Sequence, residues 1–310
     1  MAETMATRQA YGKTLIELGE KYPQLVVMDA DLSKSTMTAE FGKTYPDRFF
    51  NMGIAEQNLY GAAAGLALSG KIVCASTFAM FATGRAFEII RNSIGYTRAN
   101  VKICATHAGI TVGKDGASHQ TFEDIALMRT IPGMTVINPS DGVSAKKLLE
   151  QAVAMEGPCY VRLGRAKVPV FYEDSDQLTL GKGNLVRDGK DVTIVATGIM
   201  VSEAMAAAEK LKKDGIDARI IDIHTIKPID EEILIKAAQE TGAIVTAEEH
   251  SIIGGLGSAV AEVIVKNCPV KMAMVGQKDT YGESGKPDEL KKKYGMTAED
   301  IEAAVKNLIG

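Results

Sequence analysis

The regular alternation of strand-length apolar runs with helical patterns is the feature that most constrains how this chain can fold. Runs such as QLVVMDA (24–30), KIVCAST (71–77) and NVKICATH (100–107) are almost continuously apolar. Strands of this kind are typical of parallel sheets whose two faces are both covered by helices. Each run is followed by a segment with helical periodicity, such as residues 54–68. The alternation therefore predicts an α/β fold.

The same alternation starts again in the second half of the chain. Residues 171–190 interrupt it with acidic residues, glycines and turn signals, which are typical of a domain boundary. We predict two successive α/β domains, residues 1–170 and 191–310, each a mostly parallel sheet flanked by helices and joined by a linker at 171–190. The last helix is expected to begin at the capping-box pattern Thr297-x-x-Asp300.

Composition excludes several functional classes. The 310 residues carry a net charge of −4, so the chain lacks the basic excess that attracts nucleic acid. No apolar run approaches the roughly 18–20 residues that span a bilayer, and nothing resembles a signal peptide. The cysteines are far apart in sequence, which predicts reduced thiols of a cytoplasmic protein rather than disulfides or a zinc site. They are Cys74, Cys104, Cys159 and Cys268.

One acidic residue stands at the head of an apolar helix pattern. The segment NMGIAEQN (51–58) places Glu56 before LYGAAAGLALSG, a run that contains no charge to pair with it. One interpretation is an acid stabilised by the helix dipole. The other is a buried carboxylate with a dedicated proton-sharing partner, such as a heterocyclic nitrogen of a cofactor.

A glycine-rich loop holds two of the four histidines. The segment THAGITVGKDGASHQ (106–120) contains His107, Asp115 and His119, and it follows a predicted strand. Ligands bind beyond the carboxyl ends of strands in α/β sheets, and glycines allow the backbone to approach them closely. A purely structural loop remains an alternative, and a zinc site lacks a complete ligand set. A substrate pocket rich in proton donors fits the loop best.

The remaining candidates are polar or aromatic residues near strand ends. Phe78 and Phe81 share one helical face, which indicates either core packing or an aromatic wall against a flat heterocycle. The segment DADLSKS supplies Asp31 and Ser35, either as turn residues or as the rim of a polar pocket. Isolated arginines are usually on the surface, but arginine is also the preferred ligand of phosphate. The two isolated arginines that become candidates on this ground are Arg8 and Arg165.

Taken in order, these segments resemble the second half of a transketolase, which consists of a pyrimidine-binding and a C-terminal domain of the thiamine diphosphate enzymes. The resemblance covers essentially all 310 residues. Each motif is modest alone, but the ordered set is highly specific. It comprises ATR, DADLSKS, GIAEQN, STFAMF, THAGITVGKDGASHQ, IPGMTVINPSD and RLGR.

The resemblance implies roles for the candidate residues. Glu56 corresponds to the family's acid that binds a ring nitrogen of the aminopyrimidine and shares a proton there, and Phe78 and Phe81 would pack on that ring. His107 and His119 would hydrogen-bond the substrate carbonyl and hydroxyls and relay protons. The other substrate-binding residues implied are Asp31, Asp115 for a hydroxyl, and Arg8, Ser35 and Arg165 for a sugar phosphate.

The resemblance also implies a reaction: transfer of a two-carbon ketol unit from a ketose phosphate to an aldose phosphate. Two positions depart from the family pattern, since Gln57 replaces a common histidine and Gly84 stands near an expected third aromatic residue. The sequence contains no Gly-Asp-Gly motif, which in the family marks the domain that holds the diphosphate and the metal. We therefore expect a partner, an N-terminal transketolase subunit that supplies the Mg²⁺ (or Ca²⁺) ligands, and two copies of each chain in the active assembly.

Three alternatives stay open at this point. A deoxyxylulose-phosphate synthase-like enzyme also has an AEQ segment, although His107 disfavours it. The beta subunit of a 2-oxo-acid dehydrogenase is also half of an enzyme that exists as a separate chain, but it binds no sugar phosphate. A non-catalytic scaffold subunit would keep the fold without the chemistry.

Overall fold

The computed structural model describes residues 3–310 and contains two mostly parallel sheets, each flanked by helices. This architecture confirms the predicted α/β class. The strands are β1 (Thr4–Met5), β2 (Leu25–Asp29), β3 (Phe49–Asn51), β4 (Ile72–Ser76), β5 (Val101–Ala105), β6 (Thr135–Ile137), β7 (Cys159–Arg162), β8 (Val168–Pro169), β9 (Asn184–Arg187), β10 (Val192–Ala196), β11 (Ala218–Asp222), β12 (Thr225–Lys227), β13 (Ala243–Ser251) and β14 (Lys271–Gln277).

The helices lie between the strands in the order that the alternation predicts. One irregular helix combines π-helical segments at Phe81–Arg85 and Ile90–Gly95 with an α-helical turn between them. The α-helices are α1 (Thr7–Lys21), α2 (Ser33–Thr36), α3 (Ala39–Thr44), α4 (Glu56–Leu68), α5 (Phe87–Ile89), α6 (Asp124–Thr130), α7 (Gly142–Ala154), α8 (Met200–Lys213), α9 (Glu231–Thr241), α10 (Leu256–Asn267), α11 (Pro287–Lys293) and α12 (Ala298–Ile309).

The first sheet has the strand order β12-β6-β7-β5-β4-β2-β3, and all its pairs are parallel except β12 with β6. Every residue of β2, β4 and β5 is buried, as the continuous apolar runs predict. Lys102 is a buried charged residue within these apolar strands. Its ammonium group donates hydrogen bonds to the carbonyl oxygens of Met155 and Gly157 at 2.9 and 2.7 Å, and burial lowers its pKa.

The second sheet has the order β14-β13-β10-β11-β9, and only its edge strand β9 is antiparallel. That edge strand lies inside the segment 171–190, which the sequence pattern assigns to a linker. The chain also returns once to the first sheet, because β12 follows β11 in sequence but pairs with β6. The two sheets are thus tied together more closely than a linear division of the chain suggests.

Local signals in the sequence agree with the observed element ends. The amide of Thr297 donates to the carboxylate of Asp300 at 2.9 Å, which forms the predicted capping box of α12. Gly215 follows the end of α8 with a φ of +80°, a conformation that favours glycine after a helix. All four cysteines are free, as predicted.

The two halves share a hydrophobic core. One cluster of buried apolar side chains includes Ile103 and Ile125 of the first half together with Ile221 and Leu256 of the second. The carboxyl ends of the second sheet's parallel strands point toward the first half, where Ser140 Oγ donates to the Asp222 carboxylate at 2.5 Å. Within residues 3–310, the structure contains no helix that is long and apolar enough to cross a membrane.

Candidate active site

The candidate residues follow the carboxyl ends of five neighbouring strands in the first sheet, β7-β5-β4-β2-β3. Because these strands are parallel, their carboxyl ends meet at one edge, where α/β folds bind ligands. The helix α1 runs back along the sheet, and the amide of Gly164, just after β7, donates to Thr7 Oγ1 at 2.8 Å near the start of that helix. The site residues that follow these strands are Arg165, His107, Phe78 with Phe81, Asp31 with Ser35, and Glu56.

Glu56 is the first residue of α4, and its side chain is 3% exposed. The apolar run after Glu56 holds no charge, but a residue outside that run pairs with the carboxylate. Arg85 Nη1 lies 2.9 Å from Glu56 Oε2, and the guanidinium group also lies over the ring of Phe81, 4.8 Å from its centroid. The helix pattern does not reveal this partner, because Arg85 belongs to the π-helical segment after β4 rather than to α4.

Two phenylalanines and two histidines form a continuous aromatic group. The rings of Phe78 and Phe81 are nearly parallel with centroids 6.0 Å apart. The two residues do not share a helical face as predicted, because Phe78 forms an isolated bridge with Thr106 just before the helix begins. The imidazole of His107 stacks on Phe78 at 3.8 Å. The ring of His119 meets Phe81 edge-on at 5.3 Å. Both histidines of the glycine-rich loop thus face the same aromatic wall.

The backbone and protonation of His107 are unusual. Its φ is +58°, a conformation that costs energy in residues other than glycine and is often found at functional sites. Burial, together with the positive charges of Arg8 and Arg165, lowers its pKa to about 3. The imidazole is therefore neutral near pH 7 and can both donate and accept a hydrogen bond. Its Nδ1 lies 2.9 Å from Thr106 Oγ1, which leaves Nε2 for a ligand.

Two arginines form the positively charged end of the site. Burial, followed by the positive charge of Arg165, lowers the pKa of Arg8. Arg8 Nη1 donates to the carbonyl oxygen of Ser35 at 2.5 Å, whereas its buried Nε has no partner. A ligand with negative charge would satisfy this unpaired donor.

The two candidate aspartates lie at the rim. Asp31 has a φ of +61° and accepts a hydrogen bond from Asn51 Nδ2 at 2.9 Å, so it is held across the ends of β2 and β3. Asp115 is exposed on the glycine-rich loop. The structure therefore brings Asp31 to the same sheet edge as the other candidate residues, while the carboxylate of Asp115 faces solvent.

The site also contains residues that the sequence patterns do not single out. Arg85 is one of them. Arg162, Asp124 and Glu249 are three others, and they lie behind the glycine-rich loop as a buried charged group. A charged residue at the end of an apolar strand, as in CYVRL, is the one local signal for Arg162.

The pyrimidine end of thiamine diphosphate fits the residues present. The Arg85 guanidinium contacts both the buried Glu56 carboxylate and the ring of Phe81, which is stacked on the buried Phe78, so an acid and an aromatic surface share one neighbour. The part of the chain described, residues 3–310, has no group of three or more His, Cys, Asp or Glu residues arranged to hold a metal ion.

The fold is that of an α/β protein with two mostly parallel sheets, and its candidate residues lie along one edge of the first sheet. The sequence of residues 3–170 matches the family model of the transketolase pyrimidine-binding domain, and that of residues 181–301 matches the family model of the transketolase C-terminal domain. The chain belongs to the transketolase family, a family of transferases, as the ordered motifs indicate.

Several relatives are similar to this chain over most of its length. A transketolase C-terminal section of Methanocaldococcus jannaschii is 56% identical, with 95% of this chain and 93% of the relative covered. Transketolase of Homo sapiens is 37% identical over all of this chain but only 50% of its own length. The solved structure of an inactive β4 tetramer of a split-gene transketolase has a TM-score of 0.92 and 54% identity, with 99% of both chains covered.

The ion pair at the head of α4 leads to a stability prediction for the chain alone. Replacing Arg85 with methionine leaves the buried Glu56 charge without a partner, and we expect the free energy of unfolding to fall by about 1–2 kcal/mol. This is less than the 3–5 kcal/mol typical of a fully buried pair, because Arg85 is 51% exposed and the helix dipole also favours the acid. Urea unfolding of both proteins measures the difference.

The matched control for this test is Arg91→Met, which removes an exposed arginine from the same irregular helix. We expect it to change stability by less than about 0.5 kcal/mol. The double variant E56Q/R85M should recover most of the loss, because it removes both charges. Equal destabilisation in the single and double variants would contradict a charge-pairing role for Arg85.

Proposed function

We propose that this chain is one subunit of a split transketolase that depends on thiamine diphosphate and transfers a two-carbon ketol unit from a ketose phosphate to an aldose phosphate. The observation that carries the proposal is a continuous path along one sheet edge. It begins at the buried acid Glu56, passes over Phe81 and Phe78 to the two imidazoles, and ends at Arg8 and Arg165.

The acid end of this path suits the aminopyrimidine of the cofactor. When bound, thiamine diphosphate supplies the nucleophilic carbon and the electron sink that carry the ketol unit. Glu56 would hold and share a proton at a pyrimidine nitrogen, and Phe78 and Phe81 would pack on the ring. The contact between Arg85 and Glu56 balances the charge of the acid in the chain alone.

The opposite end suits a phosphorylated sugar. A neutral His107 can donate from Nε2 or accept there, as a group that binds a carbonyl or hydroxyl and relays protons must do. His119 approaches from the same aromatic wall. We assign the sugar phosphate to Arg8, Ser35 and Arg165, where Arg8 Nε is an unpaired donor, and substrate hydroxyls to Asp31 and Asp115.

The diphosphate and its metal are assigned to a partner. The sequence has no Gly-Asp-Gly motif, and human transketolase is about twice as long as the region matched by this chain. The similar β4 tetramer of a split-gene transketolase is inactive. We therefore infer an N-terminal transketolase subunit that provides the Mg²⁺ or Ca²⁺ ligands, with two copies of each chain in a cytoplasmic assembly.

The outer face of α4 supports a tight contact with another chain. Gly61 and Gly65 are exposed in the middle of this helix, and a Cβ added at either would meet no atom of the chain within 4 Å. Each glycine costs about 0.8–1 kcal/mol of helix stability relative to alanine. Because nothing within the chain requires them, we infer that a partner approaches this face closely. Leu68, the last residue of α4, is 64% exposed, and Ile54, two residues before the helix, is 80% exposed.

Reconstitution tests the proposed function. This chain is produced with the proposed N-terminal subunit and assayed with thiamine diphosphate, magnesium, fructose 6-phosphate as first donor and ribose 5-phosphate as acceptor. We expect ketol transfer from the two chains together and none from either alone. Transfer by this chain alone would contradict the need for a partner, and no transfer with any ketose phosphate would contradict the reaction.

A further inference from the structure

The glycine-rich loop 106–120 is held from behind by the second half of the chain. Gln120 Nε2 donates to the carbonyl oxygen of Glu283 at 3.0 Å, and Ser284 Oγ donates to the carbonyl oxygen of Lys114 at 2.6 Å. These contacts join residues more than 160 positions apart in sequence. The loop that carries both active-site imidazoles is thus a surface on which the second domain packs.

The most direct of these contacts comes from Glu249, near the carboxyl end of β13. Its Oε1 accepts a hydrogen bond from the backbone amide of Thr111 at 2.7 Å. Gly109 has a φ of +79°, and a Cβ there would lie 2.3 Å from Cδ of Glu249. The carboxylate therefore fills the space that the missing side chain of Gly109 leaves, two residues after His107.

A buried arginine lies between Glu249 and a second buried carboxylate, Asp124. Arg162 Nη1 lies 3.7 Å from Glu249 Oε2, and Nη2 donates to the Glu249 carbonyl oxygen at 2.8 Å. Asp124 in turn holds Arg162 Nε at 2.7 Å and accepts from Tyr160 OH at 2.6 Å. Arg162, Asp124 and Glu249 are each at most 3% exposed. Burying three charges is costly unless all of them are paired, so each member restricts the positions of the others.

We propose that Glu249 is a positioning residue through which the C-terminal domain sets the geometry of the loop that presents His107 and His119 to the substrate. The proposal rests on the proposed function, and it assigns the C-terminal domain a direct part in substrate recognition. Glu249 reaches the loop backbone and not the acid end of the path, so its effect should fall on steps that involve the sugar rather than on the cofactor ring.

The test compares three variants in the reconstituted enzyme. E249A removes the acceptor for the Thr111 amide. E249Q keeps an oxygen of the same shape in the same place. E248Q is the matched control, because Glu248 is buried in the same strand but accepts from the amides of Leu256 and Gly257, away from the loop.

We expect E249A to lower kcat/KM for the ketose phosphate by about 10- to 100-fold, since displacements of about 1 Å in reacting groups have effects of this size. Exchange of the cofactor's reactive C–H proton in the absence of sugar should stay within threefold of wild type. E249Q should keep kcat/KM within a few fold of the wild-type value. E248Q should change stability without changing kcat/KM or the rate of cofactor proton exchange.

Hydrogen exchange of the full chain supplies a readout that does not depend on activity. In E249A, the amides of residues 107–120 should exchange at least tenfold faster while the strands of the first sheet keep their protection. If E249A fails to fold, E249D shortens the reach to Thr111 while keeping the charge, and the same results are expected. Unchanged loop exchange, or equal losses in cofactor exchange and sugar turnover, would overturn the proposal.

The two proposals can fail separately. A wild-type complex that shows neither cofactor proton exchange nor ketol transfer would refute the proposed function. Faster exchange of the loop in E249A would still support the positioning of the loop by Glu249, and unchanged exchange would still refute it.

Discussion

Replacing Glu56 with glutamine is expected to lower the turnover of the reconstituted enzyme by about 10²- to 10⁴-fold, the usual contribution of a positioned acid–base group. The amide is nearly isosteric with the carboxylate but cannot hold and share a proton at a ring nitrogen. The side chain is buried at the first position of α4, so bulk water is a poor substitute for the carboxylate in holding that proton. Steady-state ketol transfer and exchange of the cofactor C–H proton measure the loss.

Glu88→Gln is the matched control, because it makes the same chemical change at an exposed position in the neighbouring α5. We expect it to leave both rates within twofold of wild type. Assembly of E56Q with the partner should also be unchanged, since the substitution does not alter the exposed face of α4. Full activity of E56Q would contradict the assignment and would favour the non-catalytic scaffold.

Replacing Gly65 with leucine is expected to weaken assembly with the partner by about 10- to 100-fold. Overfilling a close contact costs about 1–3 kcal/mol, and each 1.4 kcal/mol is a factor of ten in affinity. In the isolated chain, by contrast, we expect G65L to raise the free energy of unfolding. Leucine is a better helix former than glycine by about 0.8 kcal/mol, and a Cβ at Gly65 meets nothing within 4 Å.

Analytical ultracentrifugation of the mixed subunits measures assembly, and urea unfolding of the isolated chain measures stability. Ala303→Leu is the control, because it adds the same apolar side chain to an exposed position of α12. It should leave assembly unchanged. Loss of stability in the isolated G65L chain, or normal assembly by that variant, would contradict a partner contact at this face.

The sequence alone determines the layered architecture and the position of most candidate residues just after strand ends of the first sheet. Strands β2, β4 and β5 are buried on both faces, and burial of this kind requires the continuous apolar runs seen in the sequence. Phe78 and Phe81, three residues apart in sequence, stack on each other at the start of the irregular helix. Such features depend on neighbours a few residues apart, so a local pattern contains the information that specifies them.

Other features are decided by the tertiary structure. The pairing of Arg85 with Glu56, the return of β12 to the first sheet and the contact of Glu249 with the loop amide of Thr111 join residues from separate elements. No local period encodes these contacts, because they depend on the order of strands in the sheets and on how the two sheets face each other. Charged groups such as Arg162 and Lys102 can be buried only after that packing has placed carboxylates or carbonyl oxygens beside them.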